Sequence, residues 1–159
     1  MLTLEQMLIR LGLAALLGLI MGLERQFAGK EAGLRTDMMV AAGAAIFSIV
    51  GMSLPYLVAF SPEHLTDIIA RNSGFFAVIA NVIVGVGFLG AGIIVKQGVH
   101  VHGLTTAATV WFVAAVGVLC GIGLLELAVV AALGMSAILW LSRLPGINKF
   151  MDKEMRKEE

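Results

Sequence analysis

The chain has 159 residues, of which 59% are hydrophobic and 14% charged, and its mean hydropathy is +0.96. So small a polar complement cannot clothe a water-soluble fold of this size, which excludes a soluble enzyme domain and requires lipid around the chain. Eleven Lys and Arg balance eleven Asp and Glu, so no global field draws in nucleic acid, and the information lies in where the charges stand.

A spanning helix needs about 20 mostly apolar residues, and the charge-poor runs supply five such spans, giving an all-α, polytopic membrane helix bundle. The first, residues 6–23, contains only Arg10. Glu5 stands in its leader and Gln26-Phe27-Ala28 is not a small-x-small cleavage site, so this span is expected to stay attached rather than act as a removed signal. Glu24-Arg25-Gln26 closes it, and Gly33-Leu34-Arg35-Thr36-Asp37 opens the second span, residues 38–58. Ser61-Pro62-Glu63 has the form of a capped helix start, with Leu65, Ile68 and Ile69 making a short apolar stripe for an outer surface. The third span covers residues 74–95. Residues 97–142 are too long for one helix, and Gly121-Ile122-Gly123 ahead of Glu126 is the place to turn, which gives spans at 104–121 and 124–142. A transmembrane domain of residues 1–143 is thus followed by a short amphipathic tail, 144–159, with Ile147, Phe150, Met151 and Met155 on one face.

Five crossings put the termini on opposite sides. With the N-terminus outside, nine of the eleven Lys and Arg fall in the cytoplasm, leaving only Arg10 and Arg71 beyond the membrane. The polar ends of the first, second and fourth spans then meet at one cytoplasmic face. Spans two and four direct their amino termini there, where free N–H groups and the positive dipole end attract anions. Glu24, Arg25, Arg35, Thr36, Asp37, Thr105 and Thr106 are therefore the candidate ligand- or partner-binding residues. Thr105 or Thr106 is expected to cap the fourth span.

Gly85-Val86-Gly87-Phe88-Leu89-Gly90 matches G-x-G-x-x-G, but no soluble βαβ unit surrounds it and no acidic residue stands about 20 positions on. Within lipid, Gly85, Gly87, Gly90 and Gly92 instead read as helix-packing positions that make the third span the central, most crowded one. Asn81, near the middle of that span, must hydrogen-bond and is expected to do so inside the bundle. His100 and His102 share a face if their segment is extended, but no third ligand is near in sequence. The single cysteine, Cys120, reads as a small packing residue and excludes both a disulfide framework and a thiolate cluster.

Four segments in order resemble the MgtC/SapB family of membrane proteins over residues 7–142. They are Gly22-Leu23-Glu24-Arg25-Gln26, Gly33-Leu34-Arg35-Thr36, Gly85 to Gly92, and Gly103-Leu104-Thr105-Thr106-Ala107-Ala108-Thr109-Val110-Trp111. The resemblance implies a multi-pass protein of the bacterial inner membrane, linked to magnesium limitation, survival in host cells and restraint of ATP synthase. It implies no enzyme chemistry and no cofactor. The expected role is a non-enzymatic regulator of magnesium homeostasis acting through other membrane proteins. The alternative is a small oligomeric carrier of Mg²⁺ or protons whose interface uses the Gly85 to Gly92 face. The lipid bilayer, a second copy of the chain and Mg²⁺ complete the set of candidate partners. Two departures stand out. Where the family commonly has Asp-Pro-x-Arg this chain has Gly74-Phe75-Phe76-Ala77, with Asn81 replacing the following Gln, and no ACT-like ligand sensor is expected behind the short tail.

Overall fold

The computed structural model describes residues 2–59, 74–97 and 100–143, with only the backbone given for 74–76. The surface helix expected near residues 61–69 and the tail 144–159 lie outside the described residues. Five helices follow in order among those described: α1 Leu4–Phe27, α2 Leu34–Val58, α3 Gly74–Ile93, α4 Leu104–Ile122 and α5 Leu125–Leu141. A hairpin of two short strands, β1 Val95–Gln97 and β2 His100–His102, joins α3 to α4 with Lys96 paired to Val101. The chain is an all-α membrane bundle with this small addition. α1, α2 and α4 are long and apolar enough to cross a bilayer, and α3 and α5 are shorter apolar helices.

Helix limits extend past the apolar runs at the charged ends. Thr3 and Gln6 form a reciprocal capping box that starts α1 two residues earlier than its hydrophobic run. At its other end α1 continues through Glu24 and Arg25, and α2 already includes Arg35 and Asp37. Apolar length measures the membrane; backbone hydrogen bonding sets the helix.

α2 holds the crowded centre, in place of the third span expected there. Ala41, Ala44, Ala45 and Ser48 are buried along it, so α1 closes on one side and α4 on the other. Glycines on the partner helices make this possible. A Cβ on Gly18 would stand 2.6 Å from the Asp37 carbonyl, and one on Gly22 2.6 Å from the Leu34 Cα. On α4, Gly117 lies against the Ala41 carbonyl and Gly121 against Ser48 and Ala45. α5 packs on α1 and α4 through Ala128 and Ala132, completing a core with Leu17, Met21, Val113, Val116 and Cys120. The core hydroxyl of Ser48 bonds its own helix at the Ala44 carbonyl, 2.8 Å away.

α3 stands at the edge, against α2 and α4. Gly90 approaches a neighbour, Ala107, whereas a Cβ on Gly85, Gly87 or Gly92 would meet nothing within 4 Å. These three do not pack within one chain, because the close approaches are made by α1 and α4 on α2.

Candidate functional site

The ends of α1, α2, α4 and α5 converge at one end of the bundle and bring four of the expected residues together. Arg25 is 2% exposed, Asp37 0% and Thr106 2%; the Glu24 side chain is 8% exposed. Arg25 Nη2 donates to Thr106 Oγ1 at 2.7 Å, and that hydroxyl in turn donates to Glu31 Oε2 at 3.2 Å. Arg143 forms an ion pair with Glu24, Nη2 to Oε1, 2.5 Å, and its Nη1 donates to the Glu24 backbone carbonyl at 3.2 Å. The charges of Glu24, Asp37 and Glu31 all attract the Arg25 guanidinium, while Arg143 repels it.

Each position follows from local structure. Arg25 is in the last turn of α1, where its cation faces the negative end of the helix dipole. Asp37 is in the first turn of α2, favoured by the opposite dipole end. Gly29 turns the chain with φ 63°, and the short loop to α2 carries Glu31 over α4. α4 begins at Gly103 with φ 84° and no side-chain cap, and a Cβ there would collide with the Ile93 carbonyl. The capping role expected of Thr105 or Thr106 is therefore not taken: Thr106 links Arg25 to Glu31, and Thr105, which is exposed, accepts the Thr109 hydroxyl at its carbonyl, 2.8 Å. Arg35 is exposed and Thr36 half-buried, so neither joins the network.

Glu31 and Arg143 are the members sequence reasoning missed. Arg143 follows the end of α5 and Glu31 lies between α1 and α2, both on the same side as Glu24, which was the available signal. Glu31 is in the loop, and its own backbone amide and the Thr106 hydroxyl hold its carboxyl below the usual range. Both Asp37 carboxylate oxygens, Glu24 Oε2 and Arg25 Nε have no hydrogen-bond partner among the described residues, and Glu24 Oε1 meets only the Arg143 ion pair. The network is thus held by charge as much as by directed bonds. Beside it, a crevice of about 360 Å³ is lined by Glu24, Phe27, Trp140 and Arg143.

The remaining candidates lie apart. Asn81 is exposed and borders a groove between α2 and α3, instead of bonding inside the bundle, because α3 is peripheral. His100 and His102 are exposed on β2, which is extended as the pairing reading required. No group of three or more His, Cys, Asp or Glu able to hold a metal ion occurs among the described residues. Arg10, at the opposite end, donates Nη1 to the Gly121 carbonyl at 2.8 Å.

Comparison with known proteins gives the relationship. The chain is similar to Protein MgtC of Brucella abortus, 47% identical over 125 residues, covering 79% of this chain and 46% of that protein. It is also similar to Protein MgtC of Salmonella typhimurium, 42% identical over 120 residues, covering 76% and 45% respectively. The chain therefore spans about half the length of these relatives. No solved structure matches. The sequence profile of the MgtC family matches residues 11–145, which contain all six members of the polar network, four of them in helices, Glu31 in the α1–α2 loop and Arg143 just past α5, and on this match the chain belongs to the MgtC family.

Proposed function

We propose that this protein is a non-enzymatic regulator in the bacterial inner membrane, linked to magnesium homeostasis and adaptation to low magnesium. It crosses the bilayer five times with its N-terminus outside. It acts on other membrane proteins through the end of the bundle that carries Glu24, Arg25, Glu31, Asp37, Thr106 and Arg143. One observation carries this reading: the ionised network is confined to a single end, and among the described residues the interior behind it is Ala, Leu, Met, Val and Cys with only uncharged hydroxyls, those of Ser48, Ser53, Thr109 and Ser136. A carrier needs polar groups spaced across the membrane, whereas a docking face needs them only where the partner arrives.

The alternative, a small oligomeric carrier of Mg²⁺ or protons, draws support from Asp37, whose buried carboxylate oxygens lack hydrogen-bond donors among the described residues. Reconstitution of the chain in liposomes loaded with ion-sensitive dye separates the two. The regulator reading expects no Mg²⁺ or proton flux above empty liposomes, together with in-cell photocrosslinks from Phe27 to a membrane protein that disappear in Arg25→Ala. Flux that vanishes in Asp37→Asn overturns it in favour of the carrier.

A further inference from the structure

The crevice beside the charged network, about 360 Å³, is lined by Glu24, Phe27, Trp140 and Arg143, so that a carboxylate, a guanidinium and two aromatic rings share one opening. The Glu24 side chain is 8% exposed, and its Oε2 has no hydrogen-bond partner among the described residues. A buried carboxylate oxygen without a donor is costly. The terminal torsion of a glutamate is broad, so a small rotation turns this oxygen toward the opening. Neighbouring charges do not make up the deficit: Glu24, Glu31 and Asp37 stand with Arg25 and Arg143, which leaves that group one positive charge short.

Three features define the missing group. It is a cation with N–H donors, because Oε2 needs a donor and a quaternary ammonium has none. It is organic, because no group of three or more His, Cys, Asp or Glu able to hold a metal ion occurs among the described residues, whereas an alkylammonium also gains from aromatic faces such as those of Phe27 and Trp140. It is joined to a phosphate, because Arg143 stands in the same crevice with its side chain 34% exposed, and a guanidinium fork fits phosphate oxygens. A lysine from another protein would supply the cation and leave Arg143 unanswered, and a simple anion would meet Glu24. Phe27 ends α1 and Trp140 lies in the last turn of α5, 86% and 62% exposed. Helix ends with outward aromatic rings sit at headgroup depth, where the bilayer presents ammonium and phosphate in one molecule.

We propose that this crevice binds the phosphoethanolamine headgroup of a lipid, with the ammonium on Glu24 between Phe27 and Trp140 and the phosphate on Arg143. The site goes beyond the regulator reading and stands equally under the carrier reading, since it needs only a bilayer leaflet at this end of the bundle. Its failure shows as indifference to lipid headgroup, which neither ion flux nor crosslinking to a protein records.

The test uses the whole chain, purified in detergent and offered equal amounts of phosphatidylethanolamine, phosphatidylcholine and phosphatidylglycerol with matched acyl chains, the retained lipid being counted by native mass spectrometry. Phosphatidylethanolamine should be kept roughly tenfold over phosphatidylcholine, the worth of one charge-assisted hydrogen bond, and should also be kept over phosphatidylglycerol. Glu24→Gln should remove the preference for the primary ammonium. Phe27→Leu, at a residue too exposed to disturb the fold, should weaken retention of phosphatidylethanolamine about two- to fivefold. Soluble phosphoethanolamine at matching concentration should not displace the lipid; displacement assigns the crevice to a soluble zwitterion and overturns the lipid assignment. The proposal is also overturned by no retained lipid, by equal retention of the ethanolamine and choline lipids, by a preference for phosphatidylglycerol, or by an ethanolamine preference that persists in Glu24→Gln. Should Glu24→Gln not fold, undiminished retention of phosphatidylethanolamine in Phe27→Leu overturns it equally.

Discussion

Arg25 carries a full charge at 2% exposure, and its Nη2 reaches a neutral hydroxyl rather than a carboxylate. What stabilises it is the surrounding field of Glu24, Asp37 and Glu31, so removing it leaves the buried Asp37 carboxylate without a counter-charge. Arg25→Leu should therefore destabilise the protein by about 3–5 kcal/mol, more than Thr106→Val, which deletes one bridging hydroxyl and should cost about 1–3 kcal/mol; unfolding midpoints in detergent give both values. Glu31 adds a pH dependence of definite sign. Its carboxyl is held below the usual range, so its contribution is complete above the ordinary glutamate value of about 4.3 and fades as pH falls through the lower folded value. Wild type should exceed Glu31→Gln in thermal stability at neutral pH, and the two should converge below about pH 4; parallel curves would show that the contact contributes nothing. Glu24, Arg25, Asp37 and Thr106 were legible in the sequence, because charged and hydroxyl side chains at span ends mark one membrane face. The bonds among them were not, and Thr106 was read as a cap, since a hydroxyl in the first turn of a helix serves a cap or a neighbouring guanidinium with the same sequence signal. Asn81 was legible as a polar group needing a partner, but α3 is apolar on every side and offers no polar face from which its direction could be read.

Helix pairs in this bundle are decided by which glycines face a neighbour. Gly117 and Gly87 are the same residue in similarly apolar helices, yet a Cβ on the first would collide with the Ala41 carbonyl while one on the second would meet open space. Gly117→Ala should thus push α4 off α2 and cost about 1–3 kcal/mol. Gly87→Ala should be neutral or stabilising by up to about 1 kcal/mol through helix propensity, as read from paired denaturation curves. The contrast explains why the existence of the five described helices was readable but their neighbours were not. Charge-free length announces a span, whereas adjacency depends on small residues whose facing direction an all-apolar helix does not encode. The α4–α5 turn shows the same division. Gly121-Ile122-Gly123 marked it in the sequence, and Gly123 does adopt φ 96°. Its tether to α1, the Arg10 bond to the Gly121 carbonyl, links residues far apart in the chain and was invisible to local spacing. Arg10→Leu should cost about 1.5–3 kcal/mol, with the loss measured as a lowered unfolding midpoint.

At the scale of the molecule, the two ends of the bundle differ in kind. One end gathers Glu24, Arg25, Glu31, Asp37, Thr106 and Arg143; the other has Arg10 against the close of α4, with Glu126 in the first turn of α5. This grouping belongs to the packing itself and does not depend on which way the protein faces. The facing direction comes from a separate rule, the preference of short basic segments for the cytoplasm. By that rule the proposed orientation has the network end, with Lys30, Arg35 and Lys96, inside. The two inferences meet in one measurement. In a Cys120→Ala background, a membrane-impermeant maleimide applied to intact cells should label Glu126→Cys and spare Lys30→Cys and Lys96→Cys, all three becoming reactive once the cells are opened. Labelling of Lys30→Cys together with Lys96→Cys in intact cells would keep the bundle and invert it, placing the network outside and away from cytoplasmic partners. Labelling of only one of those two would do more damage, because the packing puts the α1–α2 loop and the start of α4 at the same end.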